Sequence, residues 1–231
     1  NTHNVCGGKV LPVGYVESVG ALAKKAGVPL HMDGARIWNA AAATRSSVAK
    51  LTAPVDSISA CLSKGLGAPA GSLLLGPAVF IAKARRIRKA LGGGMRQVGI
   101  LAAAGLQAIE DFEHGLLDGD HAKAVKLAQG LSEISGLSVD KVDTNIVMVR
   151  LATGDQAKTD KFVAKLTEQG VKVLPFGARM VRLVTHRDIT DQDVPAVVAA
   201  FRAVATKRWG ASSAAALVIP ALGEILVLCL K

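Results

Sequence analysis

The stretch Ser59-Ala-Cys-Leu-Ser-Lys-Gly-Leu-Gly-Ala-Pro69 decides how this chain is interpreted. The apolar and small residues from Val55 to Leu62 predict a buried strand, and the two glycines after Lys64 predict a turn. Lys64 would then lie at the carboxyl end of a strand, which is where α/β proteins bind ligands. A partly desolvated lysine there can lose its proton and attack a carbonyl carbon, although an ordinary surface lysine fits the same pattern.

A second stretch, Leu30-His-Met-Asp-Gly-Ala-Arg-Ile37, predicts a short strand that ends in Asp33 and is followed by a helix. An aspartate and a lysine at the ends of two strands fit a pyridoxal 5′-phosphate site. The carboxylate pairs with the pyridine nitrogen of that cofactor, and the lysine holds its aldehyde as a Schiff base. Arg36 would share the face of Asp33 on a helical first turn. The alternative role for Asp33 is N-capping of the helix.

Four motifs in matching order resemble the threonine aldolases, which are pyridoxal-phosphate lyases of fold type I. The resemblance extends from Asn1 to about Arg208 and is closest to the low-specificity and L-allo-threonine types. The motifs are His31-Met-Asp-Gly-Ala-Arg36, Cys61-Leu-Ser-Lys-Gly-Leu-Gly67, Gly92-Gly-Gly-Met-Arg-Gln97 and Arg182-Leu-Val-Thr-His186.

The resemblance implies roles for several cofactor-binding residues. Lys64 would hold the cofactor, Asp33 would keep its ring an electron sink, and Arg36 would contact it. Arg96, which we expect to open a helix together with Gln97, would reach the cofactor phosphate of a neighbouring subunit. The protein would therefore be a homo-oligomer, a dimer or tetramer with shared active sites.

Two further residues are expected on the substrate side. By resemblance, Arg182 would bind the α-carboxylate of an amino-acid substrate through a two-pronged contact. An internal ion pair with Asp188, Asp191 or Asp193 is the alternative. His3 matches a segment near the active site of the family, and a structural role beside a glycine turn is equally open.

The reaction that the resemblance implies is retro-aldol cleavage of L-threonine or L-allo-threonine to glycine and acetaldehyde. Another fold-type-I lyase or a transaminase would have the same lysine and aspartate. A non-catalytic fragment that joins the oligomer of a complete subunit is a third hypothesis, because the family's N-terminal cofactor contacts are not found in this sequence.

Alternating strands and helices predict an α/β fold, with a mostly parallel sheet covered by helices. We expect a cofactor-binding large domain over residues 1–134, incomplete at its N terminus, and a small α+β domain over residues 135–208. An apolar tail unlike the family follows over residues 209–231 and is interpreted either as a membrane anchor or as a non-native end. Gly71–Gly76 is predicted to be a buried strand and Pro77–Leu91 a helix.

The composition argues against several other functions. A formal charge of +10 would suit nucleic acid, but aromatic residues are only 3% and no nucleic-acid motif is present, so the basic cluster Lys83–Lys89 is interpreted as a solvated helix face. An acidic patch near Asp118 and Asp120 has no metal-ligand spacing and is also interpreted as solvated, so we expect no metal. Three cysteines indicate free thiols in the cytoplasm.

Overall fold

The computed structural model describes residues 6–206 and the short strand Ile225–Leu226. Two compact units divide between Asp118 and Gly119. The predicted domain boundary between residues 134 and 135 stays a prediction. His3 and nearly all of the predicted tail lie outside the described residues.

The first unit alternates helices and strands, as the sequence predicts. Its elements are α1 (Val13–Lys25), β1 (His31–Gly34), α2 (Ile37–Thr44), α3 (Val48–Thr52), β2 (Ser57–Cys61), β3 (Ser72–Leu75), α4 (Ala78–Ala90) and α5 (Gly99–Glu113). The helix predicted over Pro77–Leu91 is confirmed as α4. The helix expected to open at Arg96 begins later, at Gly99.

The three strands of this unit form one sheet in the order β1-β2-β3. β1 and β2 are parallel, with Asp33 opposite Ser59, and β3 is antiparallel to β2. The prediction that β3 is buried was wrong, because Leu73, Leu74 and Leu75 are 38%, 41% and 47% exposed. An apolar run encodes a strand, but its burial depends on what covers the sheet.

The core of the first unit forms where α2 packs against the parallel strands. Ile37 and Ala40 of α2 are fully buried among Met32 of β1, Ile58 of β2 and Leu51 of α3. Small residues on α2 allow this helix to lie close to the sheet. The carboxyl ends of β1 and β2 therefore lie next to a well-packed core.

The second unit contains the remaining elements, and its helix α6 begins just before the boundary. They are α6 (Leu116–Ser132), β4 (Leu137–Val139), β5 (Ile146–Leu151), α7 (Gln156–Glu168), β6 (Val171–Lys172), β7 (Leu174–Pro175), β8 (Met180–Val184), α8 (Asp193–Thr206) and β9 (Ile225–Leu226). Four strands form an antiparallel sheet in the order β4-β5-β8-β7, and β6 pairs with β9 in parallel. The predicted α+β pattern is present in this unit.

The two faces of the four-stranded sheet differ. Val181 and Leu183 of β8 belong to the main core, which includes an edge-to-face pair of Phe162 and Phe201 with ring centroids 5.6 Å apart. Because side chains alternate along a strand, Arg182 lies on the opposite face.

None of the helices in residues 6–206 has the length and apolarity that crossing a bilayer requires.

Candidate active site

Asp33 and Lys64 lie at the same edge of the first sheet. Asp33 is the third residue of β1, opposite Ser59, and Lys64 follows the last residue of β2, Cys61, by three positions. Since the strands are neighbours and parallel, their carboxyl ends meet at one edge. The structure therefore places the predicted aspartate and lysine at the position where α/β sheets bind ligands.

The loop that carries Lys64 is closed on itself by backbone hydrogen bonds. The N–H of Gly67 donates to the carbonyl oxygen of Lys64 at 2.9 Å. The N–H of Ala68 donates to the carbonyl oxygen of Leu62 at 3.0 Å. Gly67 has a φ of 78°, which side chains rarely tolerate. Leu62 and Leu66 are 7% and 0% exposed, so they anchor the loop while Lys64 stays half-buried.

Asp33 is exposed, and its Oδ1 accepts a hydrogen bond from the N–H of Ala35 at 3.0 Å. It does not cap α2, because that helix begins at Ile37 with Arg36 at the N-cap position. Arg36 has a φ of −126° and is 4% exposed, so the helical spacing expected between Asp33 and Arg36 is not formed. The backbone contact orients the Asp33 carboxylate at the end of the strand.

The thiol of Cys61 shares this strand end with Lys64. Burial raises the pKa of Cys61, but hydrogen bonds with Ser63 and Ser72 and the positive charge of Lys64 outweigh it. The pKa of the thiol therefore lies below its ordinary value. The Sγ atom is 3.4 Å from the Ser63 hydroxyl oxygen.

Arg96 is exposed in the segment between α4 and α5 of the first unit. It precedes Val98, the N-cap residue of α5, by two positions. The nearby Gly92 has a φ of 83°, which ends α4 in a left-handed turn. This segment presents Arg96 outward from the first unit.

Arg182 belongs to the second unit, in the middle of β8, and is 7% exposed. Its Cζ lies 5.4 Å from the ring centroid of Phe176. Within residues 6–206 no carboxylate pairs with this guanidinium, and its buried Nε has no hydrogen-bond partner.

The ion-pair alternative for Arg182 named three acids, and each has another contact. Asp191 pairs with Lys126, Asp188 lies 3.4 Å from His186, and Asp193 accepts hydrogen bonds from Thr190. A buried guanidinium keeps its charge and needs an anionic partner, so Arg182 is suited to an anionic ligand.

The acidic patch is not uniformly solvated, contrary to expectation. Asp120 is 1% exposed and pairs with Lys123, whereas Asp118 pairs with Arg45 closer to solvent. Among the described residues, no group of three metal-ligating side chains is placed to hold an ion.

Sequence reasoning missed two residues of α2 that contact the Lys64 loop. Trp38 Nε1 donates a hydrogen bond to the carbonyl oxygen of Cys61 at 3.1 Å. Asn39 is fully buried, and a Cβ built on Gly65 would lie only 2.5 Å from its Oδ1. The signal in the sequence was a lone amide in the apolar helix Ile37–Thr44.

Comparison with known proteins places the chain in a family. The sequence model of the beta-eliminating lyases matches residues 1–154. The chain belongs to the beta-eliminating lyase family. Both strand ends with Asp33 and Lys64, together with Arg96, lie inside the matched part.

The chain is also similar to named relatives in sequence and to solved structures in fold. Low-specificity L-threonine aldolase 1 of Arabidopsis thaliana is 43% identical over 204 residues, which cover 87% of this chain and 57% of the plant protein. The structure of Leishmania major threonine aldolase has a TM-score of 0.67 at 21% identity, covering 89% of this chain and 60% of that chain. The structure of SPT with PLP has a TM-score of 0.63 at 20% identity, covering 86% of this chain and 52% of that chain.

These likenesses confirm the predicted α/β fold, which this chain shares with the Leishmania structure. The chain spans a little over half the length of the plant relative that it matches, 57%.

Proposed function

We propose that this chain supplies Lys64 and Asp33 to a pyridoxal-phosphate site, and that the protein cleaves L-threonine or L-allo-threonine to glycine and acetaldehyde. One observation carries the proposal: the two residues lie at the carboxyl ends of hydrogen-bonded parallel strands. The name of the plant relative supports the substrate, and the solved structure of SPT with PLP supports the cofactor.

The residues at this sheet edge fit the cofactor chemically. Lys64 belongs to a loop in which the next residue, Gly65, has no space for a side chain, because the Asn39 amide lies against it. The exposed Asp33 carboxylate is oriented by the N–H of Ala35. When bound, pyridoxal phosphate supplies an electron-accepting ring conjugated with the substrate Cα.

In this proposal each first-unit residue has a defined task. Lys64 would hold the cofactor through Nζ. Asp33 retains a proton on the pyridine nitrogen by placing a negative charge beside it. Arg36 contacts the cofactor from the start of α2, and Arg96 binds the phosphate of a neighbouring subunit's cofactor.

Arg182 binds the substrate in this proposal. Its guanidinium offers two parallel N–H donors, which match the two oxygens of an α-carboxylate. Fixing the carboxylate fixes rotation about the Cα bonds, so the bond to Cβ can be aligned for cleavage. The buried and unpartnered Nε within the described chain supports this role. His3 remains a proposed contact on the substrate side.

Assembly as a homo-oligomer with shared sites is part of the proposal. None of the residues of α4 is buried in the first unit, and Val79 and Leu91 are 84% and 82% exposed. Exposed apolar side chains of this size support contact with a second copy. The free thiols of Cys6 and Cys61 support a reducing, cytoplasmic location.

The test is the absorption spectrum of the purified chain with added pyridoxal phosphate. We expect a visible band that needs Lys64, is lost in both Lys64→Ala and Lys64→Arg, and changes when L-threonine is added. Lys64→Arg retains the positive charge, so its loss of the band separates covalent binding from electrostatic attraction. Lys158→Ala, at an exposed position of α7, serves as the control.

Product analysis separates the alternatives. Glycine and acetaldehyde in equal amounts support the aldolase, whereas amino-group transfer to an added keto acid indicates a transaminase. A band that persists in Lys64→Ala contradicts the proposed cofactor site. A lysine-dependent band without threonine cleavage would support the proposed cofactor site and refute the proposed substrate.

A further inference from the structure

The carboxamide of Asn39 lies directly against the backbone that follows Lys64. A Cβ on Gly65 would be 2.5 Å from Asn39 Oδ1, 3.2 Å from Nδ2 and 3.2 Å from Cγ. All three distances are shorter than ordinary contacts, so the amide group covers the Gly65 Cα closely. Asn39 itself is 0% exposed.

The same helix also fixes the start of the Lys64 loop. Trp38, the residue before Asn39, donates its indole N–H to the carbonyl oxygen of Cys61. Its ring packs edge-to-face on Phe112, with centroids 5.4 Å apart. Two consecutive residues of α2 therefore contact the loop at both sides of Lys64.

The helix α2 is in turn joined to the strand that ends with Asp33. Only residues 35 and 36 separate β1 from α2, and Ile37 is fully buried in the core. A helix that starts beside the Asp33 strand and contacts the Lys64 loop therefore connects the two strand ends.

We propose that Asn39 is a positioning residue, which fixes the Lys64–Gly65 backbone relative to Asp33. The relevance to catalysis rests on the proposed function, but the positioning itself does not. Asn39 is fully buried, and its carboxamide occupies the space that a side chain at position 65 would need. The shape of the amide therefore limits where the Lys64–Gly65 backbone can lie.

The experiment measures how fast Lys64 reacts with acetic anhydride in the chain without cofactor, followed by peptide mass spectrometry. The exposed Lys158 in the same sample is the internal reference. The variants are Asn39→Ala, Gly65→Ala and the double variant, with Asn145→Ala as a control. Asn145 is also an asparagine that is 1% exposed, but it belongs to the second unit.

Removing the amide frees the half-buried lysine, so we expect Lys64 in Asn39→Ala to react about tenfold faster, the factor that about 1.4 kcal/mol produces. In Gly65→Ala the new methyl group pushes the backbone away from the amide, so we expect Lys64 to react faster in this variant as well. In the double variant the new methyl group occupies space left by the amide, so its rate falls below the product of both single effects. Asn145→Ala leaves the Lys64 rate unchanged.

An unchanged Lys64 rate in folded Asn39→Ala, or strictly multiplicative effects in the double variant, overturns the proposal. Should Asn39→Ala not fold, Gly65→Ala still tests the contact, because it retains the amide; an unchanged rate there overturns the proposal equally. The reagent needs no cofactor, so absence of the pyridoxal-phosphate band would refute the proposed function alone.

A second measurement connects the positioning to the site. In the holoprotein, the pH at which the lysine-dependent band titrates should shift in Asn39→Ala and return toward the wild-type value in Asn39→Gln. A midpoint unchanged in Asn39→Ala contradicts a role toward the cofactor-binding lysine.

Discussion

Lys123 and Asp120 form an ion pair of 3.0 Å inside the second unit, with 11% and 1% of their side chains exposed. Lys123 Nζ also donates to the carbonyl oxygens of His186 and Ile189, at 3.1 Å and 2.6 Å. The hydroxyl of Thr185 donates to the carbonyl oxygen of Asp120 at 2.7 Å. These contacts attach the segment after β8 to α6.

Replacing Lys123 by methionine should destabilise the protein strongly. Methionine retains most of the stem but leaves the Asp120 carboxylate buried without its cation, for which we expect a loss of about 3–5 kcal/mol. The measurement is the free energy of unfolding from denaturant titration. Lys126→Met removes a cation whose pair with Asp191 is exposed and should change little. Equal losses in both variants would refute this account of the buried pair.

The exposed Lys126–Asp191 pair should instead affect how the stability of the protein depends on pH. A hydrogen bond from Lys126, together with the charge of Lys126, lowers the pKa of Asp191 in the folded protein. A lowered folded-state pKa gives stability that is present above the unfolded-state pKa and is lost as pH falls through the folded-state value.

The wild type should therefore be more stable than Asp191→Asn at neutral pH, and the difference should shrink from about pH 5 downward. It should also shrink in high salt, because the pair is exposed to solvent. Denaturant titrations at several pH values test this. A difference that stays constant down to about pH 2 would show that Asp191 titrates normally.

Cys61 should report on the charge of Lys64. Burial raises the pKa of the thiol, while the Ser63 and Ser72 hydrogen bonds and the Lys64 charge lower it, with a lowered pKa as the result. Removing one of the lowering causes, as in Ser63→Ala or Lys64→Met, should therefore move the pKa of Cys61 upward. The fraction of thiolate at neutral pH then falls, and alkylation slows.

The midpoint of the alkylation rate against pH measures this shift. Cys6 is a free, exposed thiol in the same chain, so its midpoint serves as the internal reference. A Cys61 midpoint that does not move in Lys64→Met would show that the two groups do not interact.

Local patterns in the sequence were sufficient for the strand ends of the first unit. The apolar runs before Asp33 and Lys64 became the parallel strands β1 and β2, since short apolar segments bounded by glycine encode strands without help from distant residues. The antiparallel strand β3 was located correctly, but not its exposure.

Contacts between distant residues could not be predicted from such patterns. The approach of Asn39 to Gly65 depends on how α2 lies on the sheet, and a single sequence does not encode that distance. The sequence predicts a solvated Asp120, because the acidic patch has no metal-ligand spacing. In the fold, Lys123 lies against its carboxylate and the Thr185 hydroxyl donates to its backbone carbonyl oxygen.

Arg182 should behave differently from Lys123 when its charge is removed. Both are buried cations, but within the described chain Arg182 pairs with no carboxylate, so Arg182→Met leaves no anion uncompensated. We therefore expect its free energy of unfolding to stay within about 1 kcal/mol of wild type or to rise.

The proposed function predicts a different effect in the holoprotein: Arg182→Met should raise the KM for threonine, because the proposed two-pronged contact with the α-carboxylate is lost. Arg182→Lys keeps a charge but offers no planar pair of donors, so it should restore only part of the affinity. Denaturant titration and steady-state kinetics of the three proteins provide the measurement. A large loss of stability with an unchanged KM would mean that Arg182 is a structural residue and that the substrate carboxylate binds elsewhere.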